Sequence, residues 1–291
     1  MMNHRRRSGA LLALAFGAGC AGVPHPLVAS QPLGVAEPSA ASATAEAPSA
    51  PSPAEAALPP SLRDLDLSPA QVDAVLRIYA DLESTAEPFV GAANELGRSV
   101  AGAARQCKGD TPFIHMDAAR VIREGEAMRG PVLDAIQRVH RLLTPAQRKR
   151  LSDRLVEGDD WAKRERRNSS RTRDLGPVLD LSTMQLMSML VKAGVLWSNY
   201  ADRAEPWRVH YRVGIIHFAR DDFDARGEPA ASAPLVPLTL EFLQAGVRQL
   251  APLLEPKQCE ALGHLIEEKL DDQIARTAER IAARARVLER R

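Results

Sequence analysis

Leu133-Asp-Ala-Ile-Gln-Arg-Val-His-Arg-Leu-Leu-Thr-Pro-Ala-Gln-Arg-Lys-Arg-Leu151 is the stretch that decides the fold. Its first part ends an apolar run in which Val132, Ile136, Val139 and Leu143 recur at three- and four-residue steps, the period of a helix face. Its second part starts another helix. Thr144 can accept a hydrogen bond from a free backbone N–H of the first turn. Pro145 stands at the first helical position, where no N–H is missed. Gln147 can reach back to the cap residue's N–H and close a capping box. Leu143, just before the cap, can staple onto the next turn.

The same arrangement recurs. Leu67-Ser68-Pro69-Ala70-Gln71 and Leu181-Ser182-Thr183-Met184-Gln185 open two further runs, and Leu254-Glu255-Pro256-Lys257-Gln258 is a degenerate fourth. Leu67 to Leu143 is 76 residues and Leu181 to Leu254 is 73; across the pairs, Leu67 to Leu181 is 114 and Leu143 to Leu254 is 111. From average residue usage, L-[ST]-x-x-Q should occur on the order of 0.1 times in a chain of this size. Three occurrences at matched spacing point to a tandem duplication of one helical unit.

The rest of the chain fits helices. Aromatic residues are 4% of the 291, too few for strand-rich architecture, whereas hydrophobic residues at 45% suffice for packed cores. In the first unit, a helix from Ser68 is expected to break or kink at Pro88. A second runs to about Arg105, Cys107 to Pro112 is a turn, and a third carries Ile114 to Leu143. The second unit repeats the order: a start at Ser182, an interruption at Pro206, a turn over Ala225 to Pro237, a shorter helix from Leu238 to Leu253, and a last helix with Leu262, Ile266, Leu270 and Ile274 on one face. Between the units, 148–173 holds ten Lys/Arg against five Asp/Glu, expected as a solvated helix and linker. The expected fold is all-α, two tandem helical-hairpin units forming an elongated pseudo-dimer, over 61–174 and 175–291.

The N-terminus reads as an address. Arg5, Arg6 and Arg7 precede a short apolar run from Ala10 to Ala18, as in a secretory signal. The run ends at Gly17-Ala18-Gly19-Cys20. This resembles the lipobox of bacterial lipoproteins, in which the cysteine is lipidated after cleavage. The resemblance implies a signal over 1–19 and an anchor at Cys20. Ala21 after the cysteine implies the outer membrane, with the chain facing the periplasm. The alternative is cleavage after Val28-Ala29-Ser30 and a soluble periplasmic protein. Residues 20–60, rich in Ala, Pro and Ser, form a spacer that cannot bury enough apolar surface to offset its ordering entropy.

With two L-[ST]-P-x-Q motifs flanking a helical hairpin behind an export signal, the chain resembles the periplasmic LTxxQ family of Spy-like, CpxP-like and zinc-resistance-associated proteins. The resemblance covers 62–156 well and 178–275 less closely, because Ser182-Thr183-Met184 lacks the proline and Glu255 replaces the capping Ser/Thr. It implies an ATP-independent envelope-stress chaperone that binds unfolded or partner envelope proteins through helical surfaces. Two units in one chain would form internally the dimer that family members form from two chains. The alternatives are binding or sensing of a heavy metal such as zinc or copper, which the family resemblance would also support, or service as a structural adaptor for an envelope partner.

Catalytic signatures are missing from the sequence: there is no H-E-x-x-H, G-x-S-x-G or phosphate-binding glycine loop. The expectation is a non-enzyme with no cofactor beyond a candidate zinc or copper ion. A net charge of +1 offers no footprint for nucleic acid. Metal binding would rest on His210, His217 and Asp221, seven and four residues apart on one helix face, with other ligands from a second helix. Met184, Met187 and Met189 suit a cuprous ion, but core packing is the reading their spacing favours. The same core role is expected of Trp197, Tyr200, Trp207 and Tyr211. Cys107 and Cys259 remain once Cys20 is acylated. They can pair only if the units pack antiparallel, the turn of one against the motif of the other.

Overall fold

The computed structural model describes residues 57–158 and 179–290. The signal, Cys20, most of the spacer and the stretch 159–178 lie outside the described residues. Among the described residues six α-helices carry the fold: α1 (Pro69–Arg105), α2 (Pro112–Leu142), α3 (Pro145–Gly158), α4 (Thr183–His217), α5 (Leu235–Leu250) and α6 (Pro256–Glu289). There is no strand among the described residues. Short 3-10 turns at Pro229–Ser232 and Ala251–Leu253 lead into and out of α5.

Neither proline ends its helix. α1 runs on through Pro88 and α4 through Pro206. Each proline removes one intrahelical hydrogen bond. Both prolines are exposed, as are Ser84 and Asp202 four residues before them, so the freed carbonyls can face water. Packing of the long flanking segments outweighs one lost bond. The spacer is also shorter than expected. Leu58 and Leu62 are 1% exposed and Leu65 is fully buried, so the ordered chain reaches back past residue 61.

Two clusters show how the halves share one core. Leu58, Leu62 and Leu65 pack with Val72, Val75, Leu76 and Tyr79 of α1, Leu143, Leu151 of α3, and Phe218 and Phe223 beyond α4. Toward the other end, Ala92 and Leu96 of α1 meet Ile114, Ala118 and Val121 of α2, and Leu240 of α5 lies against them. A smaller cluster joins Trp197, Tyr200 and Ala204 of α4 to Leu238 of α5. The aromatic expectation for Trp197 and Tyr200 is met: both are buried.

The longest seam crosses the halves. α6 lies antiparallel along α1, with Cys259 at Cys107, Glu267 at Arg105, Leu270 at Gly97 and Arg284 at Glu83. The Glu83–Arg284 ion pair is buried on both sides, at 8% and 9% exposure. The Arg284 guanidinium lies 5.2 Å from the centre of the Tyr79 ring. Burial pushes the Tyr79 phenol far above its ordinary range. At Gly263 a Cβ would lie 2.8 Å from the Ala101 carbonyl oxygen and closer still to the Arg105 side chain, so only glycine lets α6 approach α1 there.

Candidate functional site: motif bridges, clasps and an apolar face

The motif glutamines do more than cap. At Ser68 the backbone N–H donates to Gln71 Oε1 at 2.9 Å and the hydroxyl accepts from Gln71 N at 3.3 Å. Thr144 and Gln147 repeat this at 3.0 and 3.3 Å, and Ser182 and Gln185 at 2.9 and 3.2 Å. In the fourth motif, Glu255 N donates to Gln258 Oε1 at 2.9 Å. The other end of each amide reaches across to the partner motif. Gln71 Nε2 donates to Gln147 Oε1 at 2.8 Å and to the Leu142 carbonyl at 2.9 Å. Gln147 Nε2 returns to Gln71 Oε1 at 3.2 Å and also bonds the Asp66 carbonyl at 3.2 Å.

The second half carries the same bridge. Gln185 Nε2 donates to Gln258 Oε1 at 2.8 Å and to the Leu253 carbonyl at 3.1 Å. Gln258 Nε2 donates to Gln185 Oε1 at 3.2 Å and to the Asp180 carbonyl at 3.0 Å. Leu142 and Leu253 are 111 apart; Asp66 and Asp180 are 114 apart. Both aspartates take left-handed backbone, φ 51° and 48°, a conformation in which aspartate is tolerated. Asp66 and Asp180, each one residue before a motif leucine, were the overlooked signal for these bridges.

The same offsets relate the two cross-unit junctions. Cys107 and Cys259 form a disulfide, their Cα atoms 5.3 Å apart. Adding 114 to the first and subtracting 111 from the second gives Asp221 and Arg148, and these two form an ion pair. One turn on, Gly263 sits against the Ala101 carbonyl, while at the matched positions the Ser152 hydroxyl donates to the Ile215 carbonyl at 2.8 Å. Even the supporting contacts correspond: Cys259 Sγ lies 3.9 Å from the Leu254 oxygen, and Arg148 Nη1 donates to the Leu143 oxygen at 3.2 Å. One end is therefore held by a covalent bond and the other by charge. Arg148 is buried, which corrects the solvated reading at that one residue, while its neighbours Lys149, Arg150 and Asp153 are exposed.

Beside the ionic junction sits His140, buried against the Phe218 and Phe223 rings. Its Nε2 lies 2.8 Å from the Arg220 carbonyl and so carries the hydrogen, while Nδ1 has no protein partner. Burial lowers its pKa from 6.5, the Arg220 carbonyl opposes that, and Arg148 adds to it.

The expected metal trio is not assembled. His217 Nδ1 faces the Glu228 carboxylate at 3.0 Å, Asp221 is taken by Arg148, and His210 packs on the Trp207 ring. No group of three His, Cys, Asp or Glu side chains converges as metal ligands among the described residues. An apolar cavity of about 40 Å³ lies between α1, α2 and α3, lined by Ile78, Val132, Val139 and Leu155. It is room for a water or two, not a ligand.

The methionines are where expectation fails most informatively. Met184 and Met187 are 76% and 55% exposed instead of packed in the core. With Val191 and Val195, 63% and 56% exposed, they form a stripe on α4 at steps of three, four and four. The opposite face of the helix, with Leu196, Trp197 and Tyr200, is the one that packs inward. Across 181–201 Lys192 is the one charged side chain, whereas the matched stretch 67–87 of the first half carries five. Lys192 Nζ bonds the Gln249 carbonyl of α5 at 3.5 Å. No helix among the described residues is long and apolar enough to cross a membrane. The chain matches no protein-family model, no curated protein and no solved structure.

Proposed function

We propose that this chain is an ATP-independent binding module of the bacterial envelope, an internally duplicated pseudo-dimer that holds unfolded or partner proteins on helical surfaces. The observation that carries this is the exposed apolar face of α4. A helix apolar on both sides is ordinarily buried, and a contiguous apolar patch on a soluble domain marks an interaction surface. The motif bridges and the two clasps support a scaffold role for the remaining residues. Each of those polar groups is spent on joining helices. The lipoprotein-like N-terminus supports tethering at the outer membrane, facing the periplasm. Heavy-metal binding has less support, because the histidines and Asp221 are engaged elsewhere.

The test is light scattering from a chemically denatured model protein diluted into buffer without nucleotide, with and without zinc. The expected result is suppression of aggregation by the chain at equimolar amounts, equal in both buffers. Suppression that appears only with zinc would favour the metal reading. No suppression in either buffer would remove the proposal.

A further inference from the structure

The duplication leaves two equivalent outer faces, one on α1 and one on α4, and they differ in chemistry. Subtracting 114 from Met184, Met187, Val191 and Val195 gives Ala70, Asp73, Arg77 and Asp81. The first half thus has charged side chains where the second half has exposed apolar ones. Asp81 is further tied to Arg138 at 2.9 Å. Sequence identity was not needed at these positions to keep the fold, since neither face packs inward. What the second half has acquired, or kept, is a surface with an unmet requirement for apolar contact.

From this we infer that the Met184–Met187–Val191–Val195 stripe is a docking face, and that its occupant is a short extended segment of non-native polypeptide with alternate apolar side chains. The inference rests on the binding reading above and names its site and its ligand. Three features fix the occupant. The first is size. The helix from Met184 to Val195 rises about 16 Å, the length of roughly five residues of extended chain. Four side chains make a patch of a few hundred Å², well short of the about 800 Å² per partner that a stable dimer buries. A second copy of this chain would gain too little there.

The second feature is spacing. Neighbours on the stripe from Met187 onward are separated by about 6 Å along the axis. Side chains on one side of an extended peptide repeat every 6.6 Å or so. Alternate residues of such a segment can therefore sit along the stripe in turn, whereas its intervening side chains face water. The third is adaptability. Two of the four are methionines, unbranched and polarisable, which adjust to differently shaped partners. Met189 lies two residues beyond Met187 and faces away from the stripe, so the three thioethers do not converge on one ion.

The test uses the full chain with its disulfide intact and a fluorescein-labelled peptide with a central run of five residues alternating Leu and Ser, flanked by Gly and Ser. A control peptide has the leucines replaced by serine. Anisotropy should report binding of the first peptide, one per chain, and none of the control. Met187→Asp combined with Val191→Arg places on α4 the residues that α1 carries. It should weaken binding about tenfold or more, because two charges would lose water on contact. Circular dichroism of the double variant, unchanged from that of the wild type, reports on correct folding.

If the double variant binds the peptide and suppresses aggregation as well as the wild type, this site is wrong while the general reading stands. If the wild type neither binds the peptide nor suppresses aggregation, both fall. If the double substitution converts a native two-chain particle into single chains, the stripe is a dimer contact and the inference is overturned.

Discussion

At the residue scale, each motif glutamine side chain makes four hydrogen bonds at once: one accepted from its own cap residue, two exchanged with the partner amide and one donated to a backbone carbonyl beside the partner motif. Gln147 is 6% exposed, so its truncation leaves the Thr144 N–H, the Asp66 carbonyl and the Gln71 amide without their partner. Thr144→Ala should cost about 1 kcal/mol, as lost caps do. Gln147→Ala should cost about 2–4 kcal/mol, because buried polar groups are left unpaired. Urea unfolding followed by circular dichroism checks both, and equal costs would mean that the cross-motif bridge adds nothing. The cap could be read from the sequence because Thr144, Pro145 and Gln147 act within one turn. The bridge could not, because it depends on two motifs 76 residues apart meeting in space.

His140 gives a residue-scale prediction in pH. Its pKa is lowered in the folded chain, so the unfolded chain binds the proton more readily. The stability that neutral His140 contributes is therefore present above pH 6.5 and is lost as the pH falls from 6.5 through the lowered folded value. The urea midpoint should fall over that window in the wild type and fall less in His140→Gln. An equal fall in both would place the acid sensitivity elsewhere.

Among the elements, the instructive contrast is between prolines and pairings. Pro88 and Pro206 carry a strong local signal for helix ends, yet α1 and α4 continue through them, because tertiary packing on both sides outweighs one backbone bond. The antiparallel docking of α6 on α1 left no local trace. The two cysteines were its one legible consequence, and their pairing had to wait for the arrangement of the halves. That bond spans a sequence separation of 152, and its reduction should cost about 2–4 kcal/mol by restricting the unfolded chain less. The ionic junction at the other end leads to a sharper expectation. Arg148→Cys together with Asp221→Cys should form a second disulfide when oxidised glutathione is supplied to take up the two electrons, because these positions match Cys259 and Cys107. Thiol titration of the denatured, unreduced double variant should find no free thiol at positions 107, 148, 221 and 259. Two free thiols would show that the junctions differ in geometry as well as chemistry.

At the scale of the whole molecule, the two halves share a set of framework contacts and differ on their outer surfaces. The motif bridges, the cross-unit junctions and their supporting carbonyl contacts recur at offsets of 111 and 114. The outer faces of α1 and α4 do not correspond in chemistry. The all-helical class and the motif spacing were legible because helix periodicity and caps are local. The exposed positions of Met184 and Met187 were not legible, because a methionine at a helical step looks the same whether its face is covered or open. The most direct measurement is photo-crosslinking to an unfolded model protein, with a benzophenone side chain placed either at 191 on α4 or at its counterpart 77 on α1. Crosslinks from 191 and few or none from 77 are the expected result. Equal crosslinking from both, or crosslinking from 77 alone, would contradict the claim that one face of the duplicated scaffold does the binding.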